Sequence, residues 1–144
     1  MNSFANSLKT LLEEQKTDVK TLQKHLGFSS SSYIYKWLKG QTGIRLDTAV
    51  KIADFFNCSL DFLLAGKEDY EKEGKYKPCP PFGKHLKKLL DEKGVSQYNI
   101  AKNTSIKGAH LYMWLHANRY PQADSAILLA NYLGVSLDCL AGRE

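Results

Sequence analysis

The chain has 144 residues, of which 43% are hydrophobic and 24% charged, an ordinary composition for a globular protein with its own core. No apolar run approaches a membrane span and the first residues lack the apolar core of a secretory signal, so we expect a cytoplasmic protein with no membrane partner. The three cysteines lie far apart without a C-x-x-C pair, which argues against a disulfide framework or a zinc site. The net charge of +5 permits a polyanionic partner but does not require one.

The first half of the chain predicts five short helices. The first carries an apolar stripe at 3.6-residue spacing that begins at Phe4, and the second follows the N-cap residue Asp18. The third spans about residues 30–39, the fourth is the apolar run around Ile52, and the fifth follows the N-cap residue Ser59. No stretch alternates as a strand would.

The second half repeats this order. A shift of 78 relates Leu8 to Leu86 in the first helix, and a shift of 77 relates Trp37 to Trp114 further on. The first copy therefore has one extra residue before its tryptophan, and the serine run 29–32 is the natural place for it. The two tryptophans are predicted to be core residues. The repeat predicts an all-α protein with two tandem five-helix domains.

The segment between the copies is polar and ends in prolines. Residues 67–80 hold four lysines and four acids, so they predict a nearly neutral linker between a domain at 1–66 and a domain at 81–144. Fourteen residues stretch to roughly 46–50 Å.

Negative charge is missing from the same part of both copies. Residues 19–46 contain five lysines and arginines and no acid, and residues 93–123 contain four and no acid. Phosphates would attract these cations and repel a carboxylate, so the pattern favours a nucleic-acid partner. The alternative is a basic face that contacts only water.

These landmarks resemble the Cro/phage-repressor helix-turn-helix family, often called Xre. The second copy carries them as "SQYNIA", "HLYMWL" and "LGVSLDCL", and the first copy as "LGFS", "IYKWLKG" and "NCSLDFLL". The resemblance implies lambda-repressor-like domains that bind double-stranded DNA, with the third helix entering the major groove.

The resemblance also implies the residues that contact DNA. In the first copy the base-reading positions hold Ser31, Ser32 and Lys36 with Tyr33 beside them, and the backbone contacts fall to Ser30, Lys39, Gln41, Thr42 and Arg45. In the second copy the base-reading positions hold Gly108, Ala109 and Met113 with His110 beside them, and the backbone contacts fall to Gln97, Lys107, His116, Asn118 and Arg119. No catalytic, metal-binding or cofactor-binding residue is implied.

The chain departs from the family pattern at several positions. The family's glutamine at the start of helix two is Gln97 in the second copy but Val19 in the first. The second copy has Ser105 in place of the turn glycine, and Ala117 where the family prefers glycine after helix three.

A paired departure concerns helices one and three. The family often has an arginine in helix one that faces a glutamate in helix three. Here the two positions hold Leu12 and Leu38, and again Leu90 and Leu115. We therefore expect an apolar contact in place of a buried ion pair.

The function that follows is a sequence-specific transcriptional regulator, most simply a repressor, in which two tethered domains act as a pseudo-dimer on a composite site. Half-sites one DNA turn apart are about 34 Å apart, within reach of the linker. Such a protein would associate with the nucleoid. The alternative is a protein-interaction module of the antitoxin kind on the same scaffold. Self-association through helix five is left open. No paired carboxylates, nucleophile–base pair or glycine-rich phosphate loop indicates an enzyme.

Overall fold

The computed structural model describes residues 3–67 and 76–144. The chain divides into two compact units, Met1–Lys75 and Tyr76–Glu144, here called unit 1 and unit 2. The described residues form ten α-helices and no strand, so the predicted all-α fold with two tandem domains is confirmed.

Unit 1 contains five helices. They are α1 Ser3–Glu14, α2 Val19–Leu26, α3 Ser32–Leu38, α4 Leu46–Phe56 and α5 Leu60–Ala65. Helix α1 packs on α3 and α5, while α4 packs on α2 and α5. The predicted stripe of α1 faces this core: Leu8 and Leu11 are completely buried, as are Ile34 and Ile52. Phe4 meets the buried ring of Trp37 edge-on, with 5.8 Å between centroids.

Side-chain caps start the helices where the sequence predicts them. The Asp18 carboxylate accepts from the Thr21 N–H at 2.8 Å, and the Ser59 hydroxyl accepts from the Phe62 N–H at 3.0 Å. The hydrogen bonds from Thr21 lower the pKa of Asp18 below its ordinary value, because they stabilise the ionised carboxylate. Each cap satisfies a backbone donor that the first helical turn leaves without a partner.

Unit 2 repeats the arrangement with five further helices. They are α6 Phe82–Lys93, α7 Gln97–Asn103, α8 Gly108–His116, α9 Ala123–Leu133 and α10 Leu137–Ala141. Helix α8 packs on α6 and α7, while α10 packs on α6 and α9. Leu86, Ile100 and Leu111 are completely buried at its centre, and Trp114 is almost so. Ser96 and Ser136 cap α7 and α10.

The turn between the second and third helices differs between the units. In unit 1, Gly27 has φ +74° and its N–H donates to the Lys24 carbonyl. In unit 2, Thr104 is extended: its hydroxyl donates to the Ile100 carbonyl at 2.7 Å and accepts from the Ile106 N–H at 3.1 Å. No left-handed residue is needed there, which explains why the family's turn glycine can be Ser105.

The predicted linker has three parts. Lys67 belongs to unit 1, where its N–H donates to the Asp61 carbonyl at 3.2 Å. Residues 68–75 lie outside the described residues. Residues 76–80 belong to unit 2, where the Lys77 N–H donates to the Arg143 carbonyl at 2.9 Å. The sequence pattern alone gives no sign of this attachment.

Candidate nucleic-acid interface

In unit 1 the helix-turn-helix consists of α2, residues 27–31 and α3. Ile34 and Trp37 point from α3 into the core, so the opposite side of this helix faces solvent. That side exposes Ser32, Lys36 and Lys39. Two predicted base-reading residues, Ser32 and Lys36, and one predicted backbone contact, Lys39, therefore lie on the same exposed side of α3.

The serine run contributes the N-cap and the first residue of α3, while Ser29 and Ser30 precede the helix. The predicted start near residue 30 is wrong by two residues, because α3 begins at Ser32. Ser31 occupies the N-cap position without a side-chain capping bond. The Ser30 hydroxyl instead accepts from the Ser32 N–H at 3.1 Å and lies 2.5 Å from the Ser32 hydroxyl. Local hydrogen bonds of this kind compete with helix formation and delay its start.

An aromatic cluster supports the exposed side of α3. The rings of Phe28 and Tyr33 lie 6.2 Å apart, and Phe28 also contacts Trp37. The Lys36 ammonium lies 5.6 Å above the centre of the Tyr33 ring. Tyr33 is thus held at the flank of α3, with a cation positioned over its face.

The loop after α3 folds back onto the helix. The Gln41 N–H donates to the Lys36 carbonyl at 2.9 Å, with Gly40 at φ +69°. The indole N–H of Trp37 donates to the Gly43 carbonyl at 3.2 Å. These bonds keep Gln41 and the half-buried Thr42 beside the end of α3.

Arg45 has an internal partner. Its Nε and Nη2 donate to the two carboxylate oxygens of Asp47 at 3.1 and 3.0 Å. Asp47 lies just beyond the acid-free stretch, so the sequence pattern did not reveal this pairing. A phosphate would have to compete with the Asp47 carboxylate for Arg45.

In unit 2 the helix-turn-helix consists of α7, residues 104–107 and α8. Leu111 and Trp114 point inward, while Ala109, Met113 and His116 are exposed. The His116 ring lies 4.6 Å from that of Tyr112. Where the exposed side of α3 carries Ser32, Lys36 and Lys39, the equivalent positions of α8 hold Ala109, Met113 and His116.

Helix α8 ends differently from α3. It runs to His116, and the left-handed residue that follows its C-cap is Asn118, at φ +51°. The Arg119 N–H then donates to the Met113 carbonyl at 3.3 Å. Asparagine tolerates this conformation, so Ala117 does not need to be glycine.

A surface cavity of about 460 Å³ adjoins the start of α7. Its lining includes two predicted backbone contacts, Gln97 and His116, and the paired leucines Leu90 and Leu115. Leu90 is buried and Leu115 half-buried, so neither points freely outward. In unit 1, Leu12 and Leu38 are both half-buried on the packed helices α1 and α3, and their contact stays a prediction.

The other predicted contacts are accessible. Lys107, Gly108, His110, Asn118 and Arg119 are all exposed. Two tyrosines that the sequence leaves open between a helix surface and a phosphate contact, Tyr35 and Tyr112, occupy equivalent positions of α3 and α8. They are 50% and 56% exposed. The shift of 77 together with helical periodicity places both beside Lys36 and Met113, and this was the signal that could have identified them.

Neither a metal site nor a membrane span is evident in the described part of the chain. Within residues 3–67 and 76–144, no group of three or more His, Cys, Asp or Glu side chains could hold a metal ion. Among the same residues, no helix is both long and apolar enough to cross a membrane.

Comparison with known proteins identifies the family. A family model described as Helix-turn-helix matches the chain twice, over residues 8–63 and 86–138, which together make up more than half of it. Searches of curated proteins and of solved structures return no significant match. The chain therefore belongs to the Cro/C1-type helix-turn-helix family of DNA-binding transcriptional regulators and carries two copies of its domain in tandem.

Proposed function

We propose that the protein is a sequence-specific repressor that binds one duplex DNA site with both units. The observation that carries the proposal is the same in each unit: the exposed side of the third helix and its flanking loops lie within a stretch that has cations and no acid. Occupancy of a site that overlaps a promoter is sufficient for repression.

The residues have different roles in this proposal. Lys36 contacts guanine edges or a nearby phosphate, and Ser32 donates to base edges or phosphate oxygens. Ala109 and Met113 contact thymine methyl groups. Contacts to the DNA backbone come from Ser30, Lys39, Gln41, Thr42, Arg45, Gln97, Lys107, His116, Asn118 and Arg119. Ser31, Tyr33, Gly108 and His110 flank the base edges.

The third helices of the two units carry different side chains at the proposed base-contacting positions. Lys36 in α3 corresponds to Met113 in α8, and Ser32 corresponds to Ala109. We therefore propose a composite site with two different half-sites, bound by a covalent pseudo-dimer. The tether raises the local concentration of the second unit to about the millimolar range once the first has bound.

The test begins with selection of duplexes from random DNA at defined salt. Lys107→Ala and Arg119→Ala are then titrated against the selected duplex, with Lys51→Ala and Lys84→Ala as controls, because these exposed lysines lie outside the acid-free stretches. Each unit 2 variant should weaken binding and lower the slope of log K against log salt by about one. Failure to select any duplex would refute DNA binding by this chain.

A second function is favoured by one observation in unit 2. Tyr98, Tyr112 and Met113 are large apolar side chains that are exposed on its helix-turn-helix. Such a surface suits a protein partner, as in an antitoxin-like module. Two results together would support this alternative for unit 2. Lys107→Ala and Arg119→Ala would bind DNA normally, and Met113→Ser would no longer bind the partner protein.

A further inference from the structure

His116 occupies the position in unit 2 that Lys39 occupies in unit 1. The shift of 77 relates the two residues, and both are exposed. Lys39 is the C-cap residue of α3, and His116 is the last residue of α8. Lysine stays charged near neutral pH, whereas histidine is the residue type that gains a proton between about pH 8 and about pH 5. The two units therefore present a permanent and a pH-dependent cation at the same place.

The position of His116 accommodates a positive charge. The ring lies at the C-terminal end of α8, where the helix dipole interacts favourably with cations. The Tyr112 ring, one turn earlier on the same helix, lies 4.6 Å from the His116 ring. A cation within about 6 Å of a tyrosine ring is attracted to its face. An imidazolium at residue 116 therefore has two favourable neighbours on α8 itself.

The two helices that pack on α8 bring further groups toward His116. In the surface cavity that His116 lines, α6 contributes Lys87 and Asp91, and α7 contributes Gln97 and Tyr98. Lysine, aspartate, glutamine and tyrosine do not ordinarily change charge between about pH 6 and about pH 8. Among the described residues that line the cavity, histidine is thus the residue type whose charge follows pH in this range.

The other histidines of unit 2 are placed differently. His110 lies in the first turn of α8, where the helix dipole opposes a positive charge, and its counterpart in unit 1 is Tyr33. The His85 Nε2 lies 2.7 Å from the Cys139 carbonyl oxygen, within the packed helices of unit 2. His110 is exposed like His116, so it provides a matched control on the same helix.

We propose, on the premise that unit 2 binds duplex DNA as described above, that His116 is a proton-dependent phosphate contact. A proton taken up from solvent gives the ring a positive charge and a second N–H donor, and a phosphate oxygen accepts from one of the two donors. Loss of the proton leaves a neutral ring that releases no counterion. Unit 2 therefore binds DNA more tightly as the pH falls, while the Lys39 contact of unit 1 stays constant.

The experiment measures binding of the full chain to its selected duplex at about pH 6 and about pH 8, at several salt concentrations. An adjacent phosphate favours the protonated form of a histidine by about tenfold, so wild type should bind about five- to tenfold more tightly at the lower pH. The slope of log K against log salt should also be steeper there by up to about 0.9, because one more cation takes part in counterion release.

Substitutions assign the effect to residue 116. His116→Lys should bind equally well at both pH values and keep the steeper salt slope at both, because its charge is permanent. His116→Gln should also bind equally at both pH values, but more weakly and with the shallower slope. His110→Gln should keep the wild-type ratio of affinities. Lys39→His should increase that ratio, since unit 1 then gains a pH-dependent cation of its own.

Thermal unfolding at both pH values verifies that each variant is folded. Equal affinity of wild type at the two pH values would overturn the proton-dependent contact. An unchanged ratio in His116→Lys would overturn it as well, because the pH effect would then arise elsewhere in the chain. Both of these outcomes leave DNA binding by the chain intact. Absence of binding to any duplex at either pH would instead refute the proposed function.

Discussion

Arg45 shows how a single neighbour can change the role of a predicted contact residue. Its guanidinium forms two hydrogen bonds with Asp47, but both side chains remain partly exposed. An exposed ion pair of this kind is worth about 0–1 kcal/mol, so a phosphate can displace the carboxylate. We therefore expect Asp47 to weaken DNA binding without preventing it.

Asp47→Asn removes the competing charge from Arg45. We expect binding of the selected duplex to tighten about two- to fivefold at low salt, since an exposed pair contributes up to about 1 kcal/mol. The salt slope should become steeper, because Arg45 then takes part in counterion release. Fluorescence anisotropy titrations at several salt concentrations measure both the affinity and the salt slope.

Asp124→Asn is the matched control for this substitution. Asp124 is the counterpart of Asp47 in unit 2, but its carboxylate accepts from the Ser125 N–H. Its removal should change the salt slope less than removal of Asp47. If the two variants behave alike, the effect is one of net charge, and Arg45 has no special role.

At the scale of helices, α6 and α8 approach each other closely at Gly83. A Cβ atom on Gly83 would lie 2.8 Å from the backbone oxygens of both Trp114 and Leu115. The corresponding residue of unit 1 is Ala5. It is also buried, so unit 1 accommodates a Cβ atom at this position. The position of α8, and hence of its exposed side chains, therefore depends on the absence of a side chain at residue 83.

Gly83→Ala should lower the free energy of unfolding by about 1–3 kcal/mol, because the backbone of α8 must move away from the added methyl group. Urea unfolding of the full chain measures this loss. Gly108→Ala is the control, since nothing lies within 4 Å of an added Cβ and its stability should be unchanged or slightly higher. Full stability of Gly83→Ala would show that the two helices are not held at this distance.

Helix positions were largely predictable because caps and apolar stripes are local signals. Asp18 and Ser59 each cap the helix that the sequence assigns to them, and their counterparts Ser96 and Ser136 cap α7 and α10. The turns were less predictable, since they depend on which of several local hydrogen bonds forms. The Thr104 hydroxyl forms the hydrogen bonds at the end of α7. The sequence does not indicate that this threonine, and not a residue in the left-handed conformation, ends the helix.

At the scale of the whole molecule, the internal repeat predicted the two tandem domains, which the structure confirms. The attachment of residues 76–80 to unit 2 was not predictable from composition, because these residues read as linker and an arginine side chain is ordinarily exposed to solvent. Only the fold brings Tyr76 against Arg143. The pairing of Arg45 with Asp47 was not predicted either, because a count of charged residues does not show which side chains are in contact.

The central claim is that both units contribute cations to one DNA-bound surface, and the salt dependence of binding tests it most directly. Lys36, Lys39, Lys107 and Arg119 are four exposed cations, two in each unit. If each contacts a phosphate, log K against log salt should have a slope of about −3.6 or steeper. Alanine at both positions of either unit should reduce the magnitude of the slope by about 1.8. A slope near zero would contradict the account, and so would a slope that does not change when the two cations of either unit are replaced by alanine.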